Sequence, residues 1–202
     1  MPQHSTTLDS PYGRIKLVPP SPSEDLAYAE CRVHPITRKY LRILPERMTE
    51  EEARQRRESR AEDPRMFDLI IHLVQDDGSE KFAGFSGYFN VDEANSTCEA
   101  GIIVAPDLHG KGLATEVFYV LLRHIFEEKG FHTTTFATGA DNIPMQKWLE
   151  DVAGARLESE RKEAWKQQDG TYADVKGYGI LEWEWRDRVK ARLEERLAKY
   201  LQ

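Results

Sequence analysis

The sequence predicts an α+β domain with a mixed, mostly antiparallel central sheet, flanking helices and a C-terminal helix. Two capped helices precede three strand-like segments, a strand–helix–strand crossover follows, and two more strand-like segments close the sheet. The 202 residues suit one domain with a real core, and no long linker divides them. We therefore expect a flexible tail at residues 1–10, one domain at 11–186 and an amphipathic helix at 187–202.

The first two helices are predicted from capping signals. Residues 21–24, SPSE, combine a cap residue, a proline at the first helical position and a glutamate three residues after the cap. The side chains expected to face inward from this helix are Leu26, Ala27 and Cys31. Thr49 and Glu52 repeat the capping box. The helix that they open carries a cluster of arginines, Arg54, Arg56, Arg57 and Arg60. This cluster could clamp an acidic ligand, but such a run is more typical of a solvated helix face.

Three strands are predicted next. MFDLIIHLVQ is rich in β-formers, a turn follows at residues 76–79, and KFAGFSGYFNV reads as the returning strand. The third strand, STCEAGIIV, follows a polar turn at residues 92–95. Alternation along this strand places Glu99, Gly101 and Ile103 on one face and Cys98, Ala100 and Ile102 on the other.

The second half of the chain alternates helices and strands. An apolar pattern predicts a helix from about Leu113 to Lys129, with Gly130 as its C-terminal cap. FHTTTFAT is strand-like, NIPMQKWLEDV is a short helix, and ARLESERKEAW pairs with VKGYGILEWEW around a turn at residues 168–170. This interpretation puts Trp183 and Trp185 on one face of the last strand.

The C-terminal segment RDRVKARLEERLAKYLQ has a narrow apolar stripe at four-residue spacing, formed by Val189, Leu193, Leu197 and Leu201. An isolated helix of this length would be marginal in water. We therefore expect the stripe to be buried, either on its own domain or in a homodimer, and the sequence does not choose between these two.

Composition excludes several classes of function. The 28 Lys and Arg residues against 35 Asp and Glu residues give a net charge of −7, which argues against nucleic-acid and anionic-membrane partners. The N-terminus lacks a signal-peptide pattern, and no apolar run approaches a membrane span. Two cysteines and six histidines without ligand spacing predict no metal site. We expect a cytoplasmic protein.

The stretch HGKGLATE, residues 109–116, has the parts of an anion site. A strand ends shortly before it and a helix starts within it, so unpaired backbone N–H groups and the helix dipole would face a ligand. It lacks the GK[ST] ending of a Walker loop and the third glycine of a dinucleotide fingerprint. A tight turn that binds nothing remains the alternative.

The run from Cys98 to Glu150 resembles the core of the GNAT superfamily of acetyl-CoA-dependent N-acetyltransferases, most closely its ribosomal-protein alanine acetyltransferase-like branch. In that branch a strand A-E-x-G-x-x-[IV] precedes a proline and a pyrophosphate loop [RQ]-x-x-G-x-[GA], and an N-x-x-[SA] motif begins the next helix. The matching residues here are Glu99, Gly101, Val104, Pro106, Gly112, Ala114 and Asn142. The resemblance covers roughly residues 12–186 and implies a GNAT-like single domain.

The resemblance implies acetyl-CoA as co-substrate and a set of residues that bind it. These are Ile102, Ile103, Val104, His109, Gly110, Lys111, Gly112, Leu113, Ala114, Thr115 and Asn142. Asn142 would orient the pantetheine arm, and it could also cap its helix. Two residues depart from the family pattern: His109 stands where the loop usually has Arg or Gln, and Met145 replaces a serine proposed to protonate the thiolate.

The resemblance places the strand of Glu99 beside the acetyl group, which makes Glu99 the candidate general base. A base is needed because an alkyl ammonium with a pKa of about 10.4 must lose a proton before it attacks a thioester. The alternative for Glu99 is a cross-strand ion pair. Cys98 should point away from Glu99, which favours direct attack over an acyl-enzyme. The backbone N–H of Ile103 or Val104 could hold the oxyanion. The resemblance also implies that the strand of Tyr178 faces the acetyl-CoA groove, so Tyr178 is the candidate acid for the thiolate, although sheet packing is the commoner role for such a tyrosine.

These observations predict an N-acetyltransferase whose acceptor is a small-molecule amine or a protein N-terminus. The negative net charge slightly favours a cationic or neutral amine. A non-catalytic, acyl-CoA-binding regulatory module is the alternative function, which the departures at His109 and Met145 favour and the retained Glu99 opposes.

Overall fold

One eight-stranded sheet, in the order β1-β2-β3-β4-β5-β6-β8-β7, forms the centre of the computed structural model, which describes residues 3–199. All neighbouring strands are antiparallel except β5 and β6, which run parallel. The strands are β1 (Leu8–Asp9), β2 (Ile15–Val18), β3 (Phe67–Val74), β4 (Glu80–Asp92), β5 (Thr97–Val104), β6 (Thr133–Gly139), β7 (Arg156–Lys166) and β8 (Tyr172–Leu181). The predicted mixed, mostly antiparallel sheet is confirmed.

Helices cover both faces of this sheet. They are α1 (Asp25–Val33), α2 (Pro35–Arg38), α3 (Glu50–Ala61), α4 (Leu113–Arg123), α5 (Ile143–Lys147), α6 (Glu182–Glu184) and α7 (Lys190–Ala198). Wider π-helical turns extend α4 to Glu128 and α5 to Ala153, and they join α6 to α7. The capping box of α3 forms as predicted: Thr49 N–H donates to Glu52 Oε2 (2.7 Å), and Glu52 N–H donates to Thr49 Oγ1 (3.2 Å).

The N-terminal strands were not predicted from the sequence. Residues 8–10 belong to the expected flexible tail, yet Leu8 is buried in β1 and Ser10 Oγ donates to Glu116 Oε1 at 2.5 Å. In β2, Ile15 and Leu17 are buried. Strands of two and four residues are too short to produce a periodic signal, so the pairing of β1 with β2 and of β2 with β3 decides their structure.

The last strand is shorter than predicted. β8 ends at Leu181, and the chain turns directly into α6, so Trp183 and Trp185 do not share a strand face. Trp185 is buried, stacks on Phe126 and donates its indole N–H to Glu127 Oε1 at 2.9 Å. Trp183 is 46% exposed. The C-terminal helical segment therefore begins at residue 182 rather than 187.

The C-terminal helix packs on its own domain. Val189, Leu193 and Leu197 are buried, and α7 contacts α4 and the turn after α5. Tyr119 Oη also donates to Glu194 Oε1 at 2.8 Å. The stripe is thus buried without a second subunit as far as Leu197; Leu201 lies outside the described residues.

The two sheet faces are covered differently. On the back face, α4 buries the apolar side chains predicted for it, and α7 packs behind it. On the front face, α1 packs on α3 and on β4. The inner side of α1 differs from the prediction, because Leu26 is 51% exposed while Asp25 and Ala29 are buried beside Cys31. The reason is that Asp25 pairs with Arg57 of α3, which rotates the polar side of α1 inward.

Candidate functional site

A cavity of about 610 Å³ lies on the front face between α1, α3 and the sheet. Its floor is formed by β3, β4 and β5, and one end reaches the start of α5. The wall residues with charged or polar side chains include Glu24, Asp25, Tyr28, Arg32, Arg56, Arg57, Arg60, Asp68, Glu99, Asn142 and Arg161. The cavity is therefore large enough for a small organic molecule and is unusually rich in charge.

The free edge of β5 forms one side of this site. β5 and β6 pair only from Thr97–Thr133 to Glu99–Thr135, and beyond Glu99 the described part of β5 pairs only with β4. The Ile103 carbonyl approaches Gly84 of β4, and Ala105 N–H donates to Ala83 O of β4. By alternation, the N–H groups of Ile102 and Val104 face the gap between β5 and β6, whereas that of Ile103 faces β4. Of the two candidate oxyanion donors, only Val104 thus faces the gap.

The predicted glycine loop leads from this edge into α4. Gly110 (φ 76°) and Gly112 (φ 74°) both adopt left-handed conformations, and Gly112 is the residue that precedes α4. Within the described chain, the backbone N–H groups of residues 110–114 have no protein acceptor, whereas that of Thr115 donates to Gly112 O. The loop therefore presents a run of free donors at a helix N-terminus, as an anion site requires.

Positive charge and a fixed loop shape accompany these donors. Arg14 of the segment before β2 donates from Nη2 to the Lys111 carbonyl at 3.0 Å and pairs with the buried Glu116 carboxylate at 3.5 Å. The exposed Lys111 side chain adds the positive charge. His109 Nε2 lies 2.9 Å from the Val104 carbonyl and donates to it. His109 thus holds the loop against the end of β5, a role that the sequence did not reveal.

Asn142 forms the other side of the gap. Its Oδ1 accepts from Met145 N–H at 3.3 Å, and its Nδ2 donates to Thr138 Oγ1 at 3.1 Å. Asn142 is therefore the N-cap of α5, and it also lines the cavity. Thr115 Oγ1 accepts from Trp148 Nε1 at 3.0 Å, which ties α4 to the helix that follows Asn142.

Glu99 lies on the cavity side of β5. Its Oε2 accepts from Asn90 Nδ2 at 3.1 Å, and it has no ion-pair partner among residues 3–199. The structure therefore does not contain the cross-strand ion pair weighed as the alternative. Asn90 reaches Glu99 because a β-bulge after Phe89 places Asn90 at φ 52°. No local sequence signal indicates this contact.

The other face of β5 belongs to the core. Cys98 is buried beside Thr134, and burial raises the pKa of its thiol to about 11. A thiol in this environment is a poor nucleophile, in agreement with the predicted alternation. Ala100 is also buried in this core, and Ile102 and Val104 pack partly against it.

Tyr178 is not brought to the cavity. It pairs with Phe136, is fully buried in the apolar core of the back face and donates its hydroxyl to Glu150 Oε1 at 2.6 Å. Burial and the neighbouring carboxylate raise the pKa of Tyr178. This environment supports the packing role rather than proton donation.

The arginine cluster of α3 divides between solvent and cavity. Arg54 pairs with Glu51 and Glu58 on the outer face, as a solvated helix face would predict. Arg56, Arg57 and Arg60 instead line the cavity, so the interpretation as a solvated run is wrong for these three. Helical spacing alone could not show which side of α3 meets α1.

Two classes of site find no support in the described part of the chain. No group of three or more His, Cys, Asp or Glu side chains is placed to hold a metal ion among residues 3–199. No helix in that range is long and apolar enough to cross a membrane.

Comparison with known proteins agrees with this geometry. The family model described as the acetyltransferase (GNAT) domain matches residues 14–153. A putative acetyltransferase from T. thermophilus superposes with a TM-score of 0.75 at 27% identity, over 91% of this chain and 94% of that chain. No curated protein sequence matches the chain.

Two more distant structures share the fold. Mycobacterium smegmatis RimJ, solved in complex with CoA-disulfide, gives a TM-score of 0.79 at 23% identity, over 96% of each chain. Vibrio cholerae spermidine N-acetyltransferase, solved with CoA and spermine, gives 0.75 at 18% identity, over 86% of this chain and 99% of that chain. The glycine loop, the free β5 edge and the three strands of the cavity floor all lie within the residues that the family model matches. The chain belongs to the GNAT acetyltransferase family.

Proposed function

We propose that the chain is an N-acetyltransferase that transfers the acetyl group of acetyl-CoA directly to a primary amine in a ternary complex. The observation that carries this proposal is the free edge of β5, which runs from the donor-rich loop at residues 110–114 to Glu99 in the cavity. One continuous surface can thus hold a phosphate-bearing thioester at one end and an amine at the other.

The loop and the β5 edge would bind acetyl-CoA through the backbone. The pyrophosphate fits the N–H groups at the start of α4, with the exposed Lys111 as a nearby cation. The pantetheine arm fits the gap between β5 and β6, where Val104 N–H is available and Asn142 lines the opposite side. Backbone donors suit this ligand because they are fixed before it binds.

Glu99 would act as the general base. It accepts one proton from the ammonium form of the acceptor, and the free amine attacks the thioester carbon. The attacking nitrogen then gives its second proton to solvent as the C–S bond breaks and the CoA thiolate leaves. The Ile102 N–H, which faces the gap closer to Glu99 than Val104 does, would stabilise the oxyanion. A thiol has a pKa of about 8.5, so the thiolate can leave as an anion and take its proton from solvent.

We place the chain in the branch that resembles ribosomal-protein alanine acetyltransferases, with a small amine or a protein N-terminus as acceptor. The fold shared with Mycobacterium smegmatis RimJ supports this placement. A cytoplasmic location is proposed as well, since both cysteines are buried free thiols. A regulatory module that binds acyl-CoA without turnover is the second candidate, because Met145 stands where a thiolate acid is found in some relatives and packs against the apolar core.

Release of free thiol from acetyl-CoA tests the proposal against this second candidate. The purified chain is mixed with acetyl-CoA and pools of amines, amino acids and peptides, and products are identified by mass. An acetylated amine that forms in step with free CoA supports the enzyme. Tight acetyl-CoA binding by calorimetry, without acetylation of any acceptor, would support the regulatory module instead.

A further inference from the structure

Two arginines of the cavity meet at one tyrosine hydroxyl. Arg32 of α1 donates from Nη1 to Tyr28 Oη at 3.2 Å, and Arg56 of α3 donates from Nε to the same oxygen at 3.0 Å. Arg32 also lies over the Tyr28 ring, 5.5 Å from its centroid. Tyr28 therefore holds two guanidinium groups side by side in the cavity wall, which places two positive charges close together.

The neighbouring arginines are neutralised and these two are not. Arg57 makes two 2.9 Å hydrogen bonds to the Asp25 carboxylate, and Arg60 makes bonds of 2.6 Å and 2.5 Å to Asp68. Over residues 3–199, neither Arg32 nor Arg56 has a carboxylate partner. The neutral phenol of Tyr28 cannot supply the missing negative charge.

Burial makes the unpaired charge costly. Arg32 Nε is fully enclosed and has no hydrogen-bond acceptor in the described chain. Desolvation lowers the pKa of Arg32, and the nearby Arg56 acts in the same direction. A buried cation without a counter-ion is unfavourable, and an anion that enters the cavity would provide both the charge and the missing acceptors.

The arginine pair and Glu99 face the same cavity from different positions. The Tyr28 ring packs on Phe85 with centroids 4.5 Å apart, and Phe85 pairs with Ile103 of β5. Glu99 lies four residues from Ile103, which is about 13 Å along a strand at roughly 3.3 Å per residue. Arg32, Arg56 and Glu99 all line this one cavity, so one small molecule bound in it can contact the arginines and Glu99 together.

We propose that Arg32 and Arg56 bind a carboxylate of the acceptor, so that the substrate is an amine that carries an anionic group several bonds from its nitrogen. An amino acid with a terminal amine, or a short acidic peptide, has this chemistry, whereas a polyamine would place a second cation against the arginines. This inference rests on the proposed acetylation. It also replaces the expectation, drawn from the net charge of the chain, that the acceptor is a cationic or neutral amine. The residues of the cavity, and not the whole chain, determine the local electrostatic potential.

Matched acceptors test the inference directly. Initial rates are measured at saturating acetyl-CoA with 6-aminohexanoate, 6-aminohexanamide and 1,6-diaminohexane, which differ only in the group remote from the amine. We expect kcat/KM to be at least about tenfold higher for the carboxylate than for the amide, and lowest for the diamine. Equal use of the carboxylate and the amide, or a preference for the diamine, would overturn the proposal.

Single-residue variants show which side chains cause the preference for the carboxylate. Arg56→Gln should reduce the preference for carboxylate over amide to below about threefold without changing acetyl-CoA affinity. Tyr28→Phe removes the shared acceptor and should reduce the same ratio. Arg54→Gln, on the outer face of the same helix, is the matched control and should leave the ratio unchanged. A uniform loss for all three acceptors in Arg56→Gln would show a structural role and overturn the assignment.

Calorimetry separates this inference from the proposed function. The protein is loaded with CoA and titrated with 6-aminohexanoate, which reports binding even if no amine is acetylated. Binding that is lost in Arg56→Gln and kept in Arg54→Gln supports the anion site in either case. Absence of binding to the wild-type protein, or equal binding by the three proteins, would contradict it.

Discussion

The two faces of the sheet use different chemistry. On the back face, α4 and α7 enclose a continuous apolar core in which Phe118, Leu121 and Leu193 are fully buried. On the front face, α1 and α3 are held together by the Asp25–Arg57 pair, and Arg60 pairs with Asp68 of β3, around an open cavity. The closely packed back face therefore stabilises the domain, whereas the front face is packed less closely and contains the cavity.

Substitutions on the two faces should therefore alter different properties of the protein. Substitutions behind the sheet should lower the free energy of unfolding and leave turnover per folded molecule intact. Substitutions of cavity residues, or at the loop that leads into α4, should lower turnover or affinity and leave the free energy of unfolding unchanged. Variants of Leu193, Glu99 and Gly112 test this division.

Leu193→Ala on the back face should have the largest effect. Leu193 is fully buried against α4, so its truncation should cost about 2–5 kcal/mol of unfolding free energy in urea. Glu195→Ala, an exposed change on the same helix, should stay within about 0.5 kcal/mol. A Leu193→Ala protein of normal stability would show that α7 does not support the core.

Light scattering examines the same helix for a role in assembly. The burial of Val189, Leu193 and Leu197 within one chain predicts that removal of residues 187–202 lowers stability without changing the oligomeric state. A mass that halves on truncation would instead assign the helix to a homodimer.

Glu99→Gln on the front face should lower turnover by roughly 10²-fold, equivalent to about 2.7 kcal/mol, because the amide cannot accept a proton from the amine. Acetyl-CoA affinity and urea stability should be unchanged. Equal rates for the two proteins across neutral and alkaline pH would remove Glu99 from the mechanism.

Gly112→Asp should weaken acetyl-CoA binding by at least about tenfold, or about 1.4 kcal/mol, because it adds a side chain and a negative charge where the pyrophosphate is proposed to bind. Gly78→Asp is the control for backbone strain, since Gly78 has a similar φ of 80° in a turn remote from the loop. Calorimetry on both variants decides the point. Similar affinities for the two would move the binding site elsewhere.

His72→Gln should have the smallest effect, which should depend on pH. His72 donates hydrogen bonds to the Glu24 and Glu80 carboxylates, and these bonds, that to Glu24 above all, raise the pKa of His72 above its usual 6.5. The folded state therefore binds the proton more tightly, so the stabilisation is complete below about pH 6.5 and is lost as pH rises through the folded value. The free energy of unfolding of the wild-type protein should exceed that of the variant by about 1 kcal/mol or less near pH 6, and this difference should become smaller at alkaline pH.

The sequence determined the features that are built from adjacent residues. The caps at Thr49 and Asn142, the free donors before α4, and the opposed directions of Cys98 and Glu99 all follow from local backbone geometry. A helix N-terminus or a strand face has the same form wherever the element packs. For this reason the anion site at the loop and the candidate base could be proposed before the fold was known.

Only the tertiary structure decided how distant segments meet. It turned Asp25 and Arg32 inward on α1, joined Arg56 to Tyr28, placed Asn90 beside Glu99 and buried Tyr178 against Glu150. Each contact links elements whose relative rotation depends on the packing of the whole sheet. The bulge after Phe89 also shifts the register between β4 and β5. The sequence therefore determined the backbone donors proposed to bind acetyl-CoA, while packing determined the cavity proposed for the acceptor, whose side chains come from α1, α3, several strands and the start of α5.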